Sequence, residues 1–336
     1  MYNEFAKDNN FEQKIIHTGQ HYSANMSDIF FSELDIPSPS VNFNIQHPSP
    51  HIFIGAAADA LYNFFLNEKN AIVFTYGDTN TTVAAAIAAK RSMLPLIHFE
   101  AGVRTYDNSM PEEINRILTD RLADVNYCCT EHNFMTMQNE SYGATIKSEL
   151  LFTGDLMLDA FLKIPPTSTK ITEQKKYIVC TIHREANLAS KQKLANIIRA
   201  LNKIHETTPV IVPLHPHTKK RMKEYGLTAD FTLLQPLGYA DMKALLSGAE
   251  YIITDSGGTS REAYFLNKKS LVVMDHPFWP EIINANCSIQ TSTETTAIIN
   301  NFNLLPALQP DFTTNLFGNG DAAENIRKHL TVYLAQ

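Results

Sequence analysis

Short apolar runs alternate with segments of helical period along most of this chain. Runs with the character of buried strands lie at residues 14–17, 71–76, 94–99, 124–129, 177–182, 210–214, 232–235, 251–254 and 270–273. Segments with helical apolar spacing predict helices at residues 79–90, 111–122, 191–205, 242–247, 260–266 and 321–334. Because strands that alternate with helices form parallel sheets through right-handed crossovers, the pattern predicts an α/β fold.

The alternation is interrupted at residues 164–170, where prolines and polar residues extend neither a strand nor a helix. A chain of 336 residues also exceeds the size at which one core stops growing. We therefore predict two doubly wound, Rossmann-like domains, residues 1–163 and 171–319, which face each other across a cleft that holds the functional site. Residues 320–336 are predicted to form a helix that packs back on the first domain.

Composition excludes several classes of function. The formal net charge of -7 argues against a general nucleic-acid binder, which needs clustered Lys and Arg to meet phosphates. No run of about 18 apolar residues predicts a membrane span, and the first residues lack a signal region, so we expect a cytoplasmic protein. The four cysteines have no metal-like spacing, which predicts reduced core thiols and no metal site.

Acidic residues are concentrated between residues 76 and 116. Asp78 and Glu100 each follow a predicted buried strand, at the sheet edge where α/β proteins bind ligands. Glu112 and Arg116 are four positions apart and share a helix face. The three carboxylates are candidates for acid and base catalysis, whereas Glu112 with Arg116 could equally form an exposed ion pair.

A glycine-containing loop follows the strand at residues 251–254. Ser256, Gly257 and Gly258 precede a predicted helix, whose free amides attract an anion such as phosphate. Glu262, one turn into that helix, could accept hydrogen bonds from ribose hydroxyls. The alternative is an ordinary tight turn in which Ser256 caps the helix.

Histidines follow two other predicted strands. His183 and Arg184 end the strand at residues 177–182 and could hold phosphate oxygens, or could be a loop histidine and a solvated ion pair. His215 and His217 end the next strand. They lack a third ligand nearby in sequence, so a metal site is the weaker interpretation.

Six segments occur in order along the chain: His17-Thr18-Gly19-Gln20-His21, Tyr76-Gly77-Asp78-Thr79-Asn80, His98-Phe99-Glu100-Ala101-Gly102-Val103-Arg104, Met110-Pro111-Glu112-Glu113-Ile114-Asn115-Arg116, Thr181-Ile182-His183-Arg184 and Thr254-Asp255-Ser256-Gly257-Gly258. Each one alone is a weak signal. Together they resemble the non-hydrolysing UDP-N-acetylglucosamine 2-epimerase family.

The resemblance implies a glycosyltransferase-B-like pair of domains that binds a UDP-sugar. It implies elimination of UDP to a 2-acetamidoglucal intermediate and re-addition with the opposite C2 configuration, with no cofactor, in a homodimer. The residues that match the family's catalytic positions are Asp78, Glu100, Glu112, Arg116 and His183. Those that match its UDP contacts are Ser256, Gly257, Gly258, Glu262 and Arg184. Those that match its second, activating UDP-sugar site are Gln20, His21 and His215.

The chain departs from the family pattern in three places. Family members begin with a strand and a Gly-x-Arg-Pro loop, whereas Met1 starts in what resembles the following helix, so the first domain is expected to lack its first strand. Residues 51–56 replace a Gly- and Gln-bearing turn of the activating site, which puts allosteric activation in doubt. Residues 274–281 keep Asp275, Trp279 and Glu281 but have lost other polar groups, which leaves the substrate open.

The alternatives share the nucleotide-sugar chemistry. One is 2-epimerisation of UDP-2,3-diacetamido-2,3-dideoxyglucuronate, because residues 20–28 also resemble those relatives. Others are a hydrolysing epimerase that releases free sugar, a sugar transferase, and a UDP-sugar-binding protein without catalysis. Three carboxylates argue against a simple transferase, which has less need of them.

Overall fold

The computed structural model describes residues 1–20, 36–167 and 172–335. These residues form parallel sheets with helices between their strands. The predicted α/β class is confirmed, and each of the nine predicted strands is present. The described residues also contain three strands that the sequence interpretation missed: β2 (Val41–Asn42), β6 (Glu149–Phe152) and β12 (Ser288–Thr291). All of the described strand pairs are parallel.

The chain divides into two compact units. Unit 1 comprises Met1–Lys163 and Leu316–Gln336. Besides β2 and β6, it contains the strands β1 (Ile16–His17), β3 (Val73–Tyr76), β4 (Leu96–Ala101) and β5 (Val125–Cys128). These six strands form a two-stranded sheet in the order β1-β2 and a four-stranded sheet in the order β3-β4-β5-β6. Its helices are α1 (Tyr2–Phe5), α2 (Pro50–Phe65), α3 (Asn80–Arg91), α4 (Pro111–Leu122), α5 (Glu131–Asn139), α6 (Leu156–Lys163) and α14 (Ala322–Tyr333).

Small and apolar residues pack the two faces of the β3–β6 sheet. Alanines of α3 are buried against α2, where only small side chains allow the two helices to approach so closely. On the other face, Ile326 and Leu330 of α14 pack with Ile97 of β4. Asp159 of α6 accepts hydrogen bonds from the amides of Ala322 and Ala323 at 3.1 and 2.7 Å, which caps the start of α14.

Unit 2 comprises Ile164–Asn315 and contains one six-stranded sheet. Its further strands are β7 (Ile178–Thr181), β8 (Val210–Pro213), β9 (Thr232–Leu234), β10 (Tyr251–Thr254) and β11 (Ser270–Val273). The order β12-β11-β10-β7-β8-β9 is that of a doubly wound Rossmann sheet, whose topological switch point lies between β7 and β10. Its helices are α7 (Glu185–Leu188), α8 (Lys191–His205), α9 (Pro216–Tyr225), α10 (Tyr239–Gly248), α11 (Gly257–Phe265), α12 (Pro280–Asn284) and α13 (Thr295–Leu304).

Two further observations concern the whole described chain. The four cysteines are buried free thiols, as predicted. None of the helices in the described ranges is both long and apolar enough to cross a membrane.

Candidate active site

Arg116 connects the acidic residues of unit 1. Its guanidinium pairs with the carboxylate of Asp78, which follows β3, and with Glu113 one turn earlier on α4, at 3.1 Å. The Arg116 side chain is 1% exposed, so the alternative of an exposed Glu112–Arg116 ion pair is wrong. A buried arginine shared by two carboxylates is held in one orientation.

Glu100 lies in a bulge of β4. The pairing of β4 with β5 shifts register between Phe99 and Ala101, and Glu100 has a left-handed φ of 66°. Its Oε1 lies 3.8 Å from the point that a Cβ on Gly77 would occupy. The bulge therefore turns the Glu100 carboxylate toward the loop that carries Asp78.

The three predicted carboxylates interact electrostatically. Burial raises the pKa of Asp78; the charge of Arg116 opposes that rise, whereas Glu100 and Glu112 add to it. The structure thus brings together Asp78, Glu100 and Glu112, which lie up to 34 positions apart in sequence. Like charges crowded at a buried site favour holding a proton, as acid and base catalysis requires.

Two residues that the sequence interpretation missed fix this arrangement. Glu113 is fully buried, and its Oε2 accepts from the amide and hydroxyl of Thr105 while its Oε1 accepts from the amide of Tyr106, each at 3.0 Å. Asn115 donates to the backbone oxygen of Asp78 at 2.9 Å. Only their positions beside Glu112 and Arg116 could have indicated a role.

A second buried network lies beneath the Asp78 loop. His98 and Asp120 are both fully buried, with His98 Nδ1 2.7 Å from Asp120 Oδ1. Arg104 donates to Asp120 Oδ2 at 2.7 Å and pairs with Glu140 at 2.8 Å. Although burial opposes ionisation, the hydrogen bonds and charges of His98 and Arg104 hold the pKa of Asp120 below its ordinary value.

Asp255 organises the switch point of unit 2. This fully buried carboxylate follows β10 and accepts from the backbone amides of His183 and Arg184, at 3.1 and 3.0 Å, and from Asn187 at 3.0 Å. His183 Nδ1 lies 3.4 Å from it. Both predicted residues after β7 are therefore fixed by a carboxylate that the sequence interpretation did not assign.

The Ser256 loop forms the helix cap that the sequence left as one of two interpretations. Ser256 caps α11, because its hydroxyl accepts from the Thr259 amide at 3.2 Å. A Cβ on Gly257 would lie 2.8 Å from the Phe278 ring, and Trp279 donates to the Gly257 oxygen at 3.0 Å. Gly257 is thus required for packing against residues 278 and 279. Gly258 follows it in the first turn of α11, where free amides remain available to an anion.

Glu262 lies on the next turn of α11 and is almost fully buried. Burial raises its pKa to about 7, against a hydrogen bond from Tyr239 and the charges of Arg261 and Lys243. Arg261 stacks on the ring of Trp279 at 4.5 Å, and Arg184 stacks on Phe278 at 4.6 Å. Unit 2 thus has a carboxyl group and two ring-stacked guanidinium groups on or beside its switch point.

The residues matched to a second sugar site are less completely observed. Gln20 accepts from the amide and hydroxyl of Thr81 at 3.0 and 2.9 Å, and His215 caps α9. His21 lies outside the described residues. Residues 51–56 are part of helix α2. Among the residues that the structure describes, no cluster of His, Cys, Asp or Glu could hold a metal ion.

Comparisons with known proteins identify the family of the chain. A family model described as UDP-N-acetylglucosamine 2-epimerase matches residues 3–331. UDP-2,3-diacetamido-2,3-dideoxy-D-glucuronate 2-epimerase of Pseudomonas aeruginosa is 34% identical, over 94% of this chain and 90% of its own. UDP-N-acetylglucosamine 2-epimerase of Methanocaldococcus jannaschii is 32% identical, over 96% and 92%.

Solved structures give the same result. The M. jannaschii UDP-GlcNAc 2-epimerase in complex with UDP-GlcNAc and UDP matches with a TM-score of 0.90 and 32% identity, over 98% of this chain and 94% of that one. The Neisseria meningitidis UDP-GlcNAc 2-epimerase bound to UDP-GlcNAc matches with a TM-score of 0.86 and 29% identity, over the same shares. These matches confirm the predicted fold class, and this chain belongs to the UDP-N-acetylglucosamine 2-epimerase family.

Proposed function

We propose that this protein interconverts UDP-N-acetylglucosamine and UDP-N-acetylmannosamine. The observation that carries the proposal is the electrostatic coupling of Asp78 with Glu100 and Glu112 beside a buried Arg116. Two relatives of the same family, 32–34% identical to this chain over most of its length, are UDP-sugar 2-epimerases.

The reaction requires proton donors and acceptors, which the carboxyl groups of unit 1 provide. A carboxylate removes the C2 proton while the C1–oxygen bond breaks, so UDP departs with the bonding electrons and a C1–C2 double bond forms. UDP then adds back to C1, and a carboxylic acid returns a proton to the opposite face of C2. Asp78, Glu100 and Glu112 are the proton donors and acceptors, and Arg116 orients Asp78. No electron acceptor is needed.

Unit 2 supplies the groups that suit UDP. The amides of the Ser256–Gly258 turn, together with Arg184 and His183, meet the pyrophosphate. The carboxyl group of Glu262 accepts from the ribose hydroxyls. These contacts stabilise the additional negative charge that develops on UDP as it departs.

A proton-transfer variant tests the proposal. Glu100→Gln should lower the epimerisation rate at least 100-fold while UDP still raises the melting temperature, because glutamine cannot exchange the C2 proton. Glu131→Gln, an exposed glutamate of the same unit, is the matched control and should keep the wild-type rate. Turnover in heavy water should place deuterium at C2, and a retained C2 proton would refute the elimination.

The diacetamido-glucuronate sugar is the second candidate substrate, because the Pseudomonas relative acts on it. NMR assays with both UDP-sugars distinguish the two. Free sugar formed in step with UDP would indicate hydrolysis instead, and UDP binding without any epimer would indicate a binding protein.

We also propose a cytoplasmic homodimer. Four buried free thiols are typical of a reducing compartment. Ile114, Ile117 and Leu118 lie exposed on the outer face of α4, at 46%, 37% and 46%. A neighbouring set of exposed apolar side chains on one helix suits a two-fold interface with a second copy of the chain.

A further inference from the structure

The guanidinium group of Arg184 lies against the segment that follows strand β11. Its central carbon is 4.6 Å from the centre of the Phe278 ring, and its Nη1 is 3.8 Å from the sulfur of Met274. The ring face attracts a cation, and the thioether is a weak acceptor, yet neither group carries a negative charge. These two contacts therefore hold the guanidinium group in place without neutralising it.

The Phe278 ring is itself held by the loop that starts α11. A Cβ on Gly257 would lie 2.8 Å from the ring, so the ring packs directly on the backbone of that loop. The next residue, Trp279, is buried and donates from its indole Nε1 to the Gly257 oxygen at 3.0 Å. Arg261 of α11 stacks on the Trp279 ring at 4.5 Å. These contacts fix the Phe278 ring relative to the amides at the start of α11.

The main chain of Arg184 is fixed as well, because its amide donates to Oδ2 of the buried Asp255 at 3.0 Å. An arginine side chain has many rotamers, and ordering it when a ligand binds costs affinity. A guanidinium group that stacks by its face keeps its N–H donors in its own plane, in the fork that matches phosphate oxygens. Holding both ends of Arg184 therefore completes much of this ordering before a ligand binds.

We infer that Phe278 is a positioning residue of the diphosphate site, whose ring holds the Arg184 guanidinium group in the orientation that binds the diphosphate of the ligand. The inference rests on the proposed UDP site and adds a residue that acts through Arg184. It also gives a role to residues 274–281, where the chain has lost polar groups of the family pattern. An aromatic ring and a thioether there hold an arginine instead.

Calorimetric titration with UDP tests this role. Phe278→Leu keeps an apolar side chain beside Gly257 but has no ring face, so UDP affinity should fall about 10-fold. Phe278→Tyr keeps the ring and should bind UDP as the wild-type protein does. Phe302→Leu is the matched control, because it removes a partly buried ring of unit 2 that packs edge-on against Tyr251. It should keep the wild-type affinity for UDP.

A double-mutant cycle shows whether Phe278 acts through Arg184. Arg184→Ala should weaken UDP binding more than Phe278→Leu does, while the backbone amide at this position can still donate to Asp255. In the Arg184→Ala background, Phe278→Leu should cause little further loss. Losses that multiply across the two sites would show that the ring acts independently of the guanidinium group and would overturn the inference. Wild-type UDP affinity in the folded Phe278→Leu variant would overturn it too.

Fluorinated phenylalanines incorporated at position 278 decide the matter if the leucine variant does not fold, because fluorine barely changes the shape of the ring. Fluorine withdraws electron density from the ring face and weakens its attraction for a cation, so UDP affinity should fall stepwise as fluorines are added. Equal affinity for all of these rings would overturn the inference, as would a wild-type protein that does not bind UDP. A wild-type protein that binds UDP but epimerises no UDP-sugar would refute the proposed function, and the titrations would still decide the role of Phe278.

Discussion

Buried carboxylates are the residues on which unit 1 depends most. Glu113 is fully buried, and Arg116 supplies its positive partner at 3.1 Å. A charge left without its partner inside a protein is strongly destabilising, whereas an exposed ion pair contributes little.

Arg116→Ala should therefore lower the free energy of unfolding by about 3 kcal/mol or more, because Glu113 loses its cation in a dry site. Urea unfolding measures the change. Arg221→Ala is the control, since Arg221 pairs with Glu185 and Glu224 at the surface and its loss should lower the free energy of unfolding much less. Equal losses would contradict the burial of Arg116.

Glu262 makes stability depend on pH near neutrality. Burial raises its pKa from 4.5 to about 7, so the folded state favours the protonated carboxyl group. The contribution to stability is complete below pH 4.5 and is lost as pH rises through 7.

Glu262→Gln should remove this dependence. The variant should match the wild-type protein near pH 4.5 and exceed it by up to about 3 kcal/mol at pH 8, from the size of the pKa shift. Urea unfolding across this pH range measures the difference. Glu224→Gln, at the surface, should give a constant offset. A constant offset for Glu262→Gln as well would show that its carboxyl group is not perturbed.

At the scale of elements, two helices end in the same way with different residues. Helix α3 ends at Arg91 and is followed, after Ser92, by Met93, which has a left-handed φ of 63° and is 86% exposed; the Leu94 amide donates to the Ala89 oxygen. Helix α9 ends at Gly226 with a φ of 66°, and the Leu227 amide donates to the Met222 oxygen. Glycine adopts this conformation without strain, whereas methionine does not.

Met93→Gly should stabilise the protein by about 0.5–1 kcal/mol, and Gly226→Ala should destabilise it by a similar amount. Thermal and urea unfolding measure both. Met93→Ala removes the exposed side chain but keeps the strain, so it should give no gain. A gain for alanine equal to that for glycine would assign the effect to the side chain instead.

Helices and strands could be predicted from the sequence where an apolar run or a periodic apolar pattern extended over enough residues. The missed strands lack that signal: β2 has two residues, the outer residues of β6 are exposed, and three of the four residues of β12 are polar. The site residues Asp78 and Glu100 were found because they follow predicted strands, although the structure places Glu100 in the bulge of β4 rather than after it. Asp255 was assigned no role because its partners at His183 and Arg184 lie 72 and 71 positions away, and only folding brings them together.

At the scale of the whole molecule, the outer face of α4 should decide the oligomeric state. Leu118→Asp places a charge among Ile114 and Ile117 and should convert a dimer to a monomer without unfolding unit 1. Sedimentation velocity measures the state. Leu304→Asp is the control, because Leu304 is similarly exposed at 54% on α13 of unit 2. A monomeric wild-type protein, or a dimeric Leu118→Asp variant, would contradict the proposed interface.

The cap that Asp159 provides for α14 also has a consequence for biosynthesis. It joins residues 163 and 164 positions apart, and the whole of unit 2 lies between them in the chain. The ribosome synthesises residues 164–315 before α14. Unit 2 can therefore fold before the last helix of unit 1 has been synthesised. Until then the apolar side chains that pack with Ile326 and Leu330 remain uncovered, and exposed apolar surface of this kind makes a nascent unit prone to aggregation.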